Sequence, residues 1–277
     1  MRTLRVRVVM GILVALVLGA QAAGADDIAV QGRAILDQYA DTVITVKMVI
    51  KIAAMGSSEE TPQEVTGTVI DPSGLIVVAL SATDPMSMLK GMMGSMMGEF
   101  EMNTEVTDVQ ILHEDGSEEP AEIVLRDKDL DLAFVRPTKK PEEPVPCVDL
   151  AKAGHPEILD QLIVLNRLGK VARREHSASV ERIESIVEKP RLFYIPGKDP
   201  TQSTVGSPAF TLAGEFVGIG VIRTIKSQGG DAFGMLGGFA QNMMVILVPA
   251  ADIAEAAKQV PPYGDQAAAA APAEGAQ

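Results

Sequence analysis

Short stretches typical of β-strands, separated by turn signals, recur along most of this chain and limit the folds open to it. Between residues 43 and 52, aliphatic or Met side chains occupy every second position and Thr and Lys occur among the others, which indicates a half-buried strand. Further strands are predicted at residues 65–70, 75–80, 106–112, 121–125, 130–135, 162–165, 177–188, 191–195, 215–222 and 245–248. Many short strands with turns between them predict an all-β barrel or sandwich.

A connector rich in Pro and Glu divides these strands into two sets at residues 137–146. A segment of this composition is the best candidate for a domain boundary. We therefore predict one β-barrel within residues 26–140 and a second within residues 141–260.

The segments between and around the strands carry their own signals. Helical spacing predicts short helices at residues 28–39 and 250–260. Residues 71–74 read Asp-Pro-Ser-Gly, which is typical of a type I turn joining two strands in a hairpin. A polar loop is expected at residues 56–62, and the Ala-, Pro- and Gly-rich tail at 261–277 is expected to be disordered.

Residues 1–25 have the form of a secretory signal peptide rather than part of the fold. Three arginines precede an apolar run at residues 8–18, and small residues for cleavage follow at 20–25. The run is short for a membrane span, although an uncleaved anchor remains the alternative. No cysteine follows it, which argues against a lipoprotein. The protein is therefore expected to be exported, to the periplasm or the medium.

Charge and cysteine content exclude some functions. Cleavage of the leader would remove three arginines and no acid, and would take the formal net charge from −13 to −16. Such a chain repels nucleic acid and anionic lipid, so neither is an expected partner. The single cysteine, Cys147, leaves no internal disulfide, so packing must hold the protein together.

Three segments, in order, resemble the HtrA/Deg branch of the trypsin-like serine proteases. Residues 66–77 (TGTVIDPSGLIV) resemble the hairpin that leads to the catalytic histidine, and residues 127–135 (DKDLDLAFV) resemble the segment that carries the catalytic aspartate. Residues 204–219 (TVGSPAFTLAGEFVGI) resemble the segment of the nucleophilic serine, and residues 246–249 (ILVP) resemble a strand before the terminal helix. The resemblance implies two six-stranded antiparallel β-barrels with the active site in the cleft between them.

The resemblance also places the catalytic positions, and two of the three are changed. The histidine position falls on Ser81, the aspartate position on Asp131 and the serine position on Val205. Of the two positions whose amides would bind the oxyanion, Ser203 and Val205, the first is a glycine in the family. A hydroxyl has no usable basicity near neutral pH, and Val has no nucleophilic atom. Inactivity as a peptidase is therefore expected.

A serine and three histidines elsewhere in the chain are candidates to replace the lost catalytic groups. Ser207 lies two residues beyond the nucleophile position, so its hydroxyl is expected to point away from the cleft. His113 is predicted at a hairpin turn, and His155 and His176 among loops of the second half, so surface roles are preferred to a relocated Ser–His pair. Asp131 is expected to persist by hydrogen-bonding nearby backbone or Ser81.

An unusual methionine-rich insertion, residues 84–103, follows the lost histidine position. Three readings remain open: a cover over the barrel, a loop that docks a partner or a membrane, and a Cu(I) site, since thioethers are soft ligands. No other cofactor or metal is predicted. The residues singled out for partner binding are Met86, Met93, Met96 and Met97.

The leading functional hypothesis is a non-catalytic, exported protease homologue that binds peptide or protein segments. The alternatives are an active serine endopeptidase with a rearranged site, and a structural or assembly scaffold that reuses the fold. The resemblance adds that HtrA proteins usually carry a peptide-binding PDZ domain, which the short tail here does not provide. It adds too that they commonly form trimers through N-terminal aromatic residues. Only Tyr39 is present in that region, which leaves a trimer in doubt.

Overall fold

A computed structural model describes residues 23–54, 57–83, 102–197, 204–224 and 243–263. Several predictions fall outside these ranges: the signal peptide up to residue 22, most of the methionine-rich insertion with Met86, Met93, Met96 and Met97, the oxyanion position Ser203, and the tail from residue 264.

The described chain is mostly strand, with three α-helices and two short 3-10 helices at Ala40–Thr42 and Lys170–Ala172. The α-helices are α1 (Ala23–Tyr39), α2 (Leu80–Thr83) and α3 (Ala250–Ala257). The first six strands are β1 (Val43–Ala54), β2 (Ser57–Asp71), β3 (Leu75–Ala79), β4 (Met102–Leu112), β5 (Glu118–Asp127) and β6 (Leu132–Pro137). The last six are β7 (Gln161–Arg167), β8 (His176–Val187), β9 (Phe193–Pro196), β10 (Pro208–Thr211), β11 (Phe216–Thr224) and β12 (Met243–Pro249). Within the described part of the chain, no helix is both long and apolar enough to cross a membrane.

These strands close into two six-stranded antiparallel barrels. The strand order is β1-β2-β3-β6-β5-β4 in barrel 1 and β10-β11-β12-β9-β8-β7 in barrel 2. This confirms the predicted all-β architecture and the number of strands implied by the family resemblance. The turn at residues 71–74 is confirmed as well, because the Gly74 N–H donates to the Asp71 carbonyl oxygen at 3.0 Å.

Two details of the predicted secondary structure were wrong. Residues 57–62 of the loop expected at 56–62 are instead the first part of β2, which pairs with β1 from Ser57 onward. Its side chains are exposed, so their polarity reflects solvent contact rather than a loop. The strand β10 was missed, because it has only four residues and begins with a proline.

One buried apolar cluster spans both barrels. Val77 and Phe134 of barrel 1 belong to the same buried cluster as Phe210 and Ile219 of barrel 2. Burial of this continuous apolar surface is the main force that holds the barrels together. The residues that line the junction are thereby fixed in position.

Polar contacts add to the junction on one side. Glu64 of β2 accepts two hydrogen bonds from the Arg174 guanidinium, at 2.7 and 3.0 Å, and lies 3.3 Å from the Lys170 ammonium. Arg167 reaches Glu114, in the β4–β5 turn, at 3.1 Å. The loop after β7 therefore binds barrel 1 through charged side chains.

The two ends of the described chain cross between the barrels. Helix α1 packs on β7 and β8 of barrel 2, and the Tyr39 ring stacks on Phe210 with 4.4 Å between centroids. At the other end, Arg136 of β6 donates to the Pro261 carbonyl oxygen at 2.7 Å and lies over the Tyr263 ring. The Tyr263 hydroxyl donates to the Ser73 carbonyl oxygen at 3.1 Å. Residues 261–263, at the start of the segment expected to be disordered, thus contact barrel 1.

Candidate active-site cleft

A serine hydroxyl and a carboxylate meet at the junction of the barrels. Ser81 lies in α2, directly after β3, and Asp131 directly precedes β6. The Ser81 Oγ donates to Asp131 Oδ2 at 2.7 Å, and the Ser81 backbone N–H donates to Oδ1 at 2.8 Å. The structure therefore brings together the two positions that the resemblance assigns to the histidine and the aspartate.

The backbone around Asp131 is folded to hold this carboxylate. Asp127 caps the preceding turn, and its side chain accepts the N–H groups of Asp129 and Leu130 at 2.9 and 3.0 Å. Asp131 itself has a φ of 59°, a left-handed conformation that is uncommon outside glycine. Its carbonyl oxygen accepts the Leu80 N–H at 2.8 Å, so main chain and side chain both bind the start of α2.

Barrel 2 completes the environment of Asp131. The Ile222 backbone amide and the Arg223 cation, both on β11, lie close enough to the carboxylate to favour its charged form and so to lower its pKa. Burial nevertheless outweighs these groups and raises the pKa of Asp131 above its ordinary value. A proton is therefore held on this carboxyl group more readily than on an exposed aspartate.

Val205 lies in the turn that precedes β10 and forms a parallel bridge with Gly220 of β11. Its half-buried side chain packs against the core shared by the barrels. Gly220 is two residues before Ile222, roughly 7 Å along an extended strand. Val205 and the Ser81–Asp131 pair therefore lie beside the same short length of β11.

The Val205 turn fits closely against barrel 1. Gly206 has a φ of +80°, and a Cβ added there would overlap the Thr66 carbonyl oxygen. The Thr68 hydroxyl donates to the Gly206 carbonyl oxygen at 3.3 Å. Only glycine satisfies both the backbone conformation and the close approach at this position.

A buried amide that the sequence analysis missed joins the same elements. Asn166 of β7 accepts hydrogen bonds at Oδ1 from the Thr66 hydroxyl at 2.8 Å and from the Ser207 hydroxyl at 3.1 Å. Ser207 is fully buried, so its hydroxyl is turned into the protein. The only signal in the sequence was a single amide at the end of the apolar run of β7.

None of the three histidines hydrogen-bonds a serine within the described residues. His113 is exposed and lies 3.1 Å from Glu119, and His176 lies 3.7 Å from Glu114. His155 is exposed. No histidine is thus placed to act as a base toward Ser81 in the described part of the molecule.

A metal site is not formed by the usual ligands in the parts of the chain that the structure covers. There, no three His, Cys, Asp or Glu side chains come together in a way that could hold an ion. The methionines considered for Cu(I) lie outside the described residues, so that idea stays a prediction.

Two closed six-stranded barrels that meet at a buried carboxylate define a double β-barrel of the trypsin type. Residues 65–219 match the family model described as a trypsin-like peptidase domain. This match covers more than half of the chain and includes Ser81, Asp131 and Val205, so the chain belongs to the trypsin-like peptidase family. A search of curated proteins found no match to the chain.

Proposed function

We propose that this protein is an exported, catalytically inactive homologue of the HtrA/Deg-type proteases that binds peptide or protein segments, in the periplasm or outside the cell. The observation that carries the proposal is the contact of Ser81 with Asp131. In a working triad, an imidazole would occupy the place of the Ser81 hydroxyl and would take a proton from the nucleophile.

The chemistry available at this contact supports inactivity. The Ser81 hydroxyl proton is directed to Asp131 Oδ2 at 2.7 Å, so the hydroxyl serves as a donor to the carboxylate. An alcohol is far too weak a base to accept a proton from another alcohol near neutral pH. The residue at the nucleophile position, Val205, has only hydrocarbon in its side chain.

The strand edges support peptide binding. Among the described residues, β4 pairs with β1 along its whole length but with β5 only at 110–112. Within the described part of the chain, residues 105–109 therefore have no strand partner on the side away from β1, where backbone N–H and C=O groups of this segment face. An extended peptide can add to such an edge as a further strand, with affinity from main-chain hydrogen bonds.

Two measurements on the purified protein test the two halves of the proposal. A fluorophosphonate probe should leave the protein unlabelled while it labels trypsin under the same conditions, because none of the three histidines hydrogen-bonds a serine within the described residues. Fluorescein-labelled unfolded casein should show raised anisotropy with the protein and should remain intact. Covalent labelling or cleavage would contradict inactivity, and absence of binding would contradict the peptide-binding role.

A double substitution tests the assignment of positions. Ser81→His together with Val205→Ser would restore the base and the nucleophile beside Asp131. Labelling by the probe should then appear in the double variant and in neither single variant, since each group needs the other. Labelling of the Val205→Ser single variant to the same extent would refute the assignment of Ser81 to the base position.

A further inference from the structure

One arginine beside the cleft lacks the partner that comparable arginines have. Among the described arginines that are not exposed, three form ion pairs with glutamates: Arg136 with Glu122, Arg167 with Glu114 and Arg174 with Glu64. Arg223, on β11, is partly buried, and its side chain makes no hydrogen bond or ion pair with any residue that the structure describes. Its Nε is buried without a hydrogen-bond partner.

The position of Arg223 ties it to the site. Strand β11 contacts the helix α2 that carries Ser81, and its Gly220 bridges Val205, so this part of β11 lies at the junction of the barrels. The Arg223 cation lies close enough to Asp131 to act on it electrostatically but not within ion-pair distance. Asp131 is already hydrogen-bonded to Ser81 through both carboxylate oxygens, so it does not serve as the partner of Arg223.

An arginine in this state has a preferred ligand. The guanidinium carries five N–H donors in a planar fork and stays charged at all relevant pH values. A partly buried donor without an acceptor costs free energy, and a carboxylate satisfies two donors at once in a bidentate contact. The acidic chain as a whole repels carboxylates, so attraction to one must come from a local cation such as this.

We propose that Arg223 binds a carboxylate of a peptide bound to this protein. The carboxylate belongs either to an acidic side chain or to the C-terminus of the peptide, and the guanidinium recognises both in the same way. This inference rests on the proposed peptide-binding function, and it adds the chemical class of peptide that the site prefers.

Fluorescence anisotropy with three fluorescein-labelled hexapeptides distinguishes a side-chain carboxylate from a C-terminal carboxylate as the ligand. The first has a central glutamate and an amidated C-terminus, the second has glutamine in place of glutamate, and the third is the glutamine peptide with a free C-terminal carboxylate. The wild-type protein should bind the first or the third about tenfold more tightly than the second, as expected for one charge-assisted contact. Which of the two is favoured identifies the source of the carboxylate.

Variants of the protein assign the preference to Arg223. Arg223→Gln should abolish the tenfold preference, and Arg223→Lys should keep part of it. The matched control is Arg173→Gln, which removes an exposed positive charge from the same barrel and should change nothing. Equal binding of all three peptides, or equal loss in the control, would overturn the carboxylate proposal and leave peptide binding intact. Absence of binding to every peptide would overturn the proposed function, and this inference with it.

Discussion

Removal of the Ser81 hydroxyl should destabilise the protein by an amount that depends on pH. Ser81→Ala removes the hydrogen bond of 2.7 Å to Asp131 Oδ2 and keeps the backbone bond to Oδ1. A hydrogen bond to a charged group is worth about 1.5–3 kcal/mol. Ser81 is partly exposed, so water replaces part of the loss and the lower end applies. At about 2–4 °C for each kcal/mol, the Tm at pH 7 should fall by about 3–6 °C.

The pH dependence follows from the direction of the shift at Asp131. Its folded pKa lies above the unfolded value, so its contribution to stability is present at acidic pH and is lost as the pH rises through the folded pKa. The Ser81 hydroxyl lowers that pKa, so Ser81→Ala raises it further. The cost of the substitution should therefore be larger at pH 7 than below the unfolded value of 3.8.

A double-mutant cycle with Asp131→Asn isolates the contact. The amide still accepts the Ser81 backbone N–H but carries no charge, so this single variant should be at least as stable as the wild type at pH 7. Ser81→Ala should therefore lower the free energy of unfolding less in the Asp131→Asn background than in the wild type. Thr83→Val is the matched control, since it removes a neutral hydroxyl bond of 2.7 Å, to the Leu80 carbonyl oxygen, from the same helix.

Thermal unfolding followed by circular dichroism from pH 3.5 to 8 provides the measurement. The reasoning is refuted if Ser81→Ala costs the same at every pH and in both backgrounds. A control variant with the same pH dependence would refute it too, because the effect would then not come from the carboxylate.

Three further perturbations have definite expected outcomes. Gly206→Ala should lower the denaturant midpoint much more than Gly116→Ala. Both positions have positive φ, but only a Cβ at position 206 would overlap other atoms, those of Thr66. Equal losses in the two variants would contradict the close contact of Gly206 with Thr66. Cys147 should react with iodoacetamide more slowly than free cysteine at pH 8, because burial raises its pKa, and denaturant should abolish the difference. Arg174→Ala should cost up to about 1 kcal/mol at pH 7. That cost should vanish in urea titrations as the pH falls through the folded pKa of Glu64, which this arginine lowers; a pH-independent cost would contradict the ion pair.

The sequence predicted the architecture because its signals are local and repeated. Period-two alternation and turn residues located eleven of the twelve strands that the structure describes, and the hairpin at residues 71–74 was specified by its own side chains. The strand β10 escaped because four residues are too few to show a period. The first part of β2 escaped because its side chains are polar and exposed, so the alternation that marks a half-buried strand is absent.

The site was predictable only where the family resemblance reached. That resemblance assigned Ser81 and Asp131, fifty positions apart, to one site, and they are in contact. Asn166 and Arg223 were missed because each lies near the end of a mostly apolar strand, where polar residues are common. Their importance depends on neighbours from the other barrel or from distant strands, which no local pattern records.

The crossing of the two chain ends has a consequence for how the protein holds together when it is cut. Helix α1 packs on barrel 2 through Tyr39, and residues 261–263 contact barrel 1 through Tyr263. Each barrel therefore packs against a terminal segment that adjoins the other barrel in the sequence. Cleavage of the exposed connector between the barrels would therefore leave two fragments that remain bound to each other. The cleft between the barrels would be retained after cleavage.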